Sequence, residues 1–117
     1  MAVVAFALPI LPGQDDLVRK MGEGVSGSGE LREKYEESRK RLGIIEEKVW
    51  LQRTLIGASI IVYWETEDPQ RTLREMANSQ DEVDQKIRQL IEDAAPAIDL
   101  SKDNPLSNEL LFEWTQQ

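Results

Sequence analysis

Neither cysteine nor histidine occurs in the 117 residues, and aromatic side chains make up only 6% of the chain. Without cysteine there is no disulfide framework, and without either residue there is no zinc site of the usual nitrogen and sulfur ligands. Ser-His-Asp and Cys-His catalysis both need an imidazole and are excluded, as is a histidine-ligated haem. An excess of positive charge is also missing: 14 basic residues face 22 acidic ones, a net charge of −8. Sequence-independent nucleic-acid binding rests on neutralising phosphates, so such a chain is a poor candidate for it. Long apolar runs are missing too. The best, Ala2 to Leu11, is half the roughly 20 residues that a spanning helix requires. No basic stretch precedes it, as one would in an export signal. The expectation is a cytoplasmic protein with no membrane or nucleic-acid partner, forming one domain over residues 1–117.

The charge that is present is unevenly spread. Residues 1–57 carry nine basic and nine acidic side chains, whereas residues 58–117 carry five and thirteen. The whole excess therefore belongs to the second half, where it suits a solvated helix face.

Local patterns predict a definite order of elements. Val3-Val4-Ala5-Phe6-Ala7-Leu8-Pro9-Ile10 is a short β-branched run, expected as a strand with Pro9 near its end. Pro12-Gly13 marks a turn, and Gln14, Asp15 and Asp16 open a helix that the glycines from Gly22 to Gly29 should break. A second helical run starts near Glu30 and stops at Gly43, a C′ residue. Lys48–Thr54 and Ser59–Glu65 are strands joined by a short glycine-containing connection, the mark of a hairpin. Asp68 and Pro69 supply an N-cap and an N1 residue for the next helix. Ser79 or Asp81 should cap its continuation, in which Val83, Ile87, Leu90, Ile91 and Ala94 recur at helical spacing. Ile98 to Ser107 is expected as a loop and Glu109–Trp114 as a last strand.

The resulting order, βαββαβ, is the ferredoxin-like α+β arrangement. Right-handed crossovers place the helices on one face of a four-stranded antiparallel sheet and leave the other face bare. The strands are apolar or aromatic on both sides, unlike those of a sheet with one solvated face. The simplest cover for the bare face is a second copy related by a two-fold axis, so a homodimer is expected.

Ser38-Arg39-Lys40-Arg41-Leu42-Gly43-Ile44, Lys48–Thr54 and Ile61-Val62-Tyr63-Trp64-Glu65 with Asp68-Pro69 together resemble the dimeric α+β barrel superfamily. Within it, they resemble an uncharacterised bacterial family of small proteins. The resemblance spans nearly the whole chain and implies two ferredoxin-like sheets packed face to face. Relatives in that superfamily include cofactor-independent quinone-forming monooxygenases, haem degraders, muconolactone isomerase-like proteins and stress-response dimers. The Asn, Trp, His set of the haem degraders has no histidine to match here. What the resemblance implies is a small dimeric protein, either one that binds a small hydrophobic ligand without assignable catalysis, or a monooxygenase or isomerase-like enzyme acting on an aromatic molecule. Neither needs a cofactor.

Candidate residues follow from strand parity. Trp50, Gln52, Thr54, Tyr63 and Glu65 share one sheet face, expected as the barrel side. There, with Phe112 from the last strand, they would line a ligand pocket or fill a dimer interface. Trp50 would stack, Gln52 and Tyr63 would hydrogen-bond, and Glu65 would serve as a base or binding anion. Val49, Leu51, Ile60, Val62 and Trp64 would face the helices. Arg41 and Arg53 are candidate anion ligands, although pairing with Glu46 and Glu47 would equally account for this basic stretch. The Gly22–Gly29 segment is a candidate lid or a plain linker. Asp81, Glu82 and Asp84 have the spacing of a solvated helix face rather than of a metal site.

Overall fold

The computed structural model describes residues 2–99 and 106–116. The elements are β1 (Ala2–Ile10), α1 (Asp15–Ser26), α2 (Glu30–Arg41), β2 (Ile44–Thr54), β3 (Gly57–Thr66), α3 (Pro69–Asn78) and α4 (Glu82–Ala94). The strands form one antiparallel sheet in the order β1-β3-β2. The pair α1 and α2 forms the crossover from β1 to β2, the pair α3 and α4 follows β3, and the fold is a small α+β unit with four helices among the described residues.

Strand parity decides what is buried. Val4, Phe6 and Leu8 on β1 lie opposite Trp64, Val62 and Ile60 on β3, and Val49 and Leu51 on β2 pair with Val62 and Ile60. This face meets Leu42, Leu73, Met76 and Ile91 from the helical layer in one apolar cluster. Phe6 stands edge-on to Trp64 with ring centroids 5.2 Å apart, a favoured aromatic geometry. The core ends in a satisfied polar chain. The Thr66 hydroxyl is 2.8 Å from that of Thr72, which donates to the Leu42 carbonyl at 2.9 Å.

The caps explain where the helices begin. The Asp68 carboxylate accepts from the Arg71 N–H at 3.2 Å with Pro69 in the first turn. Asp81, rather than Ser79, caps α4 by accepting from the Val83 N–H at 2.9 Å. Gly43, at φ 77°, turns the chain from α2 into β2.

Three expectations are corrected. First, α1 continues through Gly22 and Gly24 to Ser26. Gly24 serves packing rather than termination, because a Cβ there would stand 2.8 Å from the Leu31 Cδ2 on α2. Second, β2 begins at Ile44, four residues before the expected Lys48, and the hairpin connection shrinks to Leu55-Ile56. Third, no strand forms over Glu109–Trp114, so the sheet has three strands among the described residues rather than four. The reason lies at the free edge of β1. There the Asn108 side chain accepts from the Ala5 N–H at 3.0 Å and donates to the Ala5 carbonyl at 2.9 Å, a side-chain copy of one rung of a β-ladder. The chain then leaves the edge with Leu110, Leu111, Phe112 and Trp114 all at least 75% exposed. Of the expected loop over Ile98–Ser107, residues 100–105 lie outside the described residues.

Leu8, fully buried on β1, provides a test of this core. Leu8→Ala is expected to lower unfolding free energy by about 2–5 kcal/mol. Leu55→Ala, at the exposed hairpin tip, should change it by less than about 0.5 kcal/mol. Urea denaturation of both variants checks the contrast.

Candidate functional site

Between the sheet and the helices lies a partly open cavity of about 140 Å³. Its walls are Phe6 and Leu8 of β1, Val49 of β2, Ile60, Val62 and Trp64 of β3, and Val18, Met21 and Val25 of α1, closed by Met76, Ile87, Leu90 and Ile91. Three polar side chains also line it: Tyr35 and Arg39 from α2 and Glu47 from β2.

Strand alternation puts Glu47 there: it shares the parity of Val49 and Leu51 and lies opposite Trp64, on the helix side of the sheet. Ile44 pairs with Thr66 and Glu46 with Glu65, so Ile45 is an extra residue, and this β-bulge turns Ile44 to the same side. Its carboxylate accepts from the Trp64 indole N–H at 2.5 Å, from the Arg39 Nη1 at 3.3 Å and from the Tyr35 hydroxyl. The Arg39 guanidinium also sits 4.3 Å above the Tyr35 ring, a cation–π contact. Burial pushes the Tyr35 phenol well above the ordinary tyrosine range. Arg39 opposes that rise, and Glu47, by charge and hydrogen bond, adds to it. Tyr35 is thus a permanent donor.

A second buried carboxylate supports this wall from behind. Asp84 of α4 is fully buried. It accepts from the Arg41 Nη2 at 2.7 Å, from the Ser79 hydroxyl at 2.6 Å and from the Ser38 hydroxyl. Its Oδ1 lies 3.7 Å from the Arg39 Nη2. Burial alone would raise its pKa. The bonds from Ser38, Ser79 and Arg41 and the charge of Arg39 outweigh that cost and hold it below the ordinary aspartate value.

The predicted site residues are on the opposite face. Register places Trp50 and Gln52 with Ile61 and Ser59, and Tyr63 and Glu65 with Ala5 and Val3, on the side away from the helices. Trp50, 50% exposed, and Gln52 border an open depression with Leu51 and Ile61. Tyr63 donates to Glu65 at 2.9 Å, and that bond, more than desolvation, raises the Tyr63 pKa. Thr54 closes the hairpin by donating to the Gly57 carbonyl at 3.1 Å. Phe112 lies in the exposed C-terminal segment, apart from the others. The two candidate anion ligands are engaged by carboxylates, Arg41 by Asp84 and Asp81, and Arg53 by Asp15 at 3.3 Å. Among the described residues no group of three acidic side chains is arranged to hold a metal ion, and no helix is long and apolar enough to cross a membrane.

Parity counted from Lys48 onward was enough to assign Trp50 and Tyr63 to one face. Glu47 escaped because the strand was expected to begin one residue after it, at Lys48, whereas β2 begins at Ile44. The usable signal was the isolated acid directly before the apolar run Val49-Trp50-Leu51.

Comparison of the chain with protein-family models, with curated proteins and with solved structures finds no match.

Asp84 ties stability to pH. Its folded pKa lies below its unfolded value, so its contribution is present above about pH 4 and is lost as pH falls through the folded value. Asp84→Asn is expected to cost about 3–5 kcal/mol at pH 7, because it removes the charge facing buried Arg39 and Arg41. The difference from the parent should shrink in acid. Urea unfolding of both proteins at pH 7 and pH 3 measures it.

Proposed function

We propose that this chain is a homodimeric ferredoxin-like protein of the dimeric α+β barrel type that binds a small hydrophobic ligand. The observation that carries the binding role is the cavity between sheet and helices, apolar throughout except at the Tyr35–Arg39–Glu47 corner. Ligand sites are typically apolar hollows with a few convergent polar groups. A volume of 140 Å³ suits a molecule of single-ring size, since a dry cavity of about 150 Å³ holds benzene. Catalysis by a monooxygenase or isomerase-like route is the alternative. Glu47 is the acid nearest the cavity, but three donors already engage its oxygens. It is better placed to anchor the corner than to take a proton from a substrate.

The dimer rests on two unsatisfied surfaces. One is the helix-free sheet face bearing Val3, Trp50 and Tyr63. The other is the C-terminal segment, where Leu110, Phe112 and Trp114 alternate with Glu109, Leu111 and Glu113 at strand spacing. The edge of β1 away from β3, where Asn108 holds only the rung at Ala5, is the position that a fourth ferredoxin-like strand would take in place of that contact. Such a strand, supplied by one copy to the other, would bury this segment and complete the sheet. α1, which has no fully buried residue and carries Val18, Met21 and Val25 over the cavity, is the natural way in.

Gly22 lines the cavity, and a Cβ there would meet nothing within 4 Å. Gly22→Leu is expected to occupy the hollow and to gain about 0.5–1 kcal/mol of helix propensity. Ethylbenzene is expected to bind the parent protein and to perturb the Trp64 indole N–H resonance. It should bind Gly22→Leu at least about tenfold more weakly, while the melting temperature of that variant does not fall. Unchanged binding would place the ligand elsewhere. For the dimer, sedimentation equilibrium should give twice 13.4 kDa for the full chain and a monomer for a chain ending at Asn108. A monomeric full chain refutes the dimer.

A further inference from the structure

The cavity has its mouth beside α1. Of the residues that line it, only Gly22 of α1 and Val49 of β2 are exposed, Val49 at 52%, and the others are buried or half-buried. The opening therefore lies between α1 and β2, which is an edge strand of the sheet.

The walls around that mouth are held with unequal firmness. The strands are bonded in one sheet. Ser38 and Arg39 anchor α2 on the buried carboxylates of Asp84 and Glu47. Met76 of α3 and Ile91 of α4 are buried in the core. α1 buries no residue and has no side-chain cap at its start. Among the described residues, the hydrogen bonds that tie it to other elements come from two exposed arginines, one at each end. Arg53 of β2 donates to Asp15 at 3.3 Å, and Arg32 of α2 donates to the Val25 carbonyl at 3.0 Å. Exposed contacts of this kind hold only weakly.

Both ends of α1 also carry joints. The Leu11 N–H donates to the Ala94 carbonyl at 2.8 Å and fixes the chain just before Pro12-Gly13. Gly13 has φ 83° and Gly29, directly before α2, has φ 118°. Around either Cα a side chain would meet nothing within 4 Å. Glycine crosses between negative and positive φ at little steric cost, so these two points can absorb a rotation of the helix between them. A weakly held element over a cavity is the kind that opens locally while the rest stays folded.

We infer that α1 is a movable cover: it turns away from β2 on its Gly13 and Gly27–Gly29 joints to admit a ligand, and Arg32 latches it shut through the Val25 carbonyl. This rests on the reading of the cavity as a ligand site and assigns how that site is entered.

The chain has no cysteine of its own, so Gly24→Cys with Leu31→Cys adds two thiols that pair only with each other, across the second joint. A Cβ at position 24 points directly at Leu31. The oxidised double variant should exchange ethylbenzene at least about tenfold more slowly than its reduced form, because a pinned cover slows entry and exit alike. For the same reason its affinity should change less than about twofold. Arg32→Met should speed exchange about fivefold, the worth of one hydrogen bond. In the ligand-free parent protein, the amides of Val18, Met21 and Val25 should exchange with deuterium at least about tenfold faster than those of Ile87 and Ile91. That measurement decides the matter if the double variant fails to fold or to form its disulfide. Equal ethylbenzene exchange in oxidised and reduced forms, an unchanged rate in Arg32→Met, or α1 amides as protected as those of α4 each overturns the moving cover while leaving the cavity a binding site. Failure of ethylbenzene to bind the parent protein overturns the cavity reading and the cover with it.

Discussion

The buried carboxylate of Asp84 is the interaction on which the helical layer depends. It comes from α4, after the last strand of the sheet, and takes its donors from Ser38 and Arg41 of α2, between β1 and β2, and from Ser79 between α3 and α4. A buried charge is tolerable only where it is paired and its lone pairs are met. Ser38 and Arg39 are the buried polar residues of α2, and both face this acid or its neighbour Glu47. Removing the acid would strand two arginines, whereas an apolar substitute would leave α2 free to rotate over the sheet. The cost of burying charge here is therefore a device for orientation: it fixes the angle at which α2 presents Tyr35 and Arg39 to the cavity.

That orientation explains why a hollow persists in so small a core. α2 is held by polar bonds along one side and α3 and α4 by apolar packing, but α1 has neither a side-chain N-cap nor a fully buried residue. Gly22, which lines the cavity, leaves space there that a side chain would fill. A cavity lined by unpartnered apolar atoms loses dispersion contacts and destabilises the fold. Its persistence beside a polar corner whose Tyr35, Arg39 and Trp64 donors meet on Glu47 is more economically explained by use than by poor packing.

Much of this architecture is legible in the residues. Asp68-Pro69 and Asp81 announce α3 and α4 through the chemistry of their caps, and the glycine of the hairpin marks its turn. Alternation along Trp50, Gln52, Tyr63 and Glu65 tells which side of the sheet they share. The candidate site was far less legible. The strand expected to begin at Lys48 starts at Ile44, so Glu47, which shares the parity of Val49 and Leu51, falls inside it and turns inward. Gly22 and Gly24 look like breakers, yet tertiary contact with Leu31 outweighs their poor helix propensity. Glu109–Trp114 has the alternation of a strand, but alternation specifies a face and cannot specify which chain supplies the neighbouring edge.

The net charge of −8 now divides into parts with different physical roles. Glu82 pairs with Lys86 and Lys34, and Glu75 with Arg71, on exposed helix surface. Such pairs contribute little to stability and chiefly keep the surface wet. The carboxylates that shape the interior, Glu47 and Asp84, are neutralised by Arg39 and Arg41. The acidic excess is thus a property of the exterior, and the cavity wall is electrically balanced.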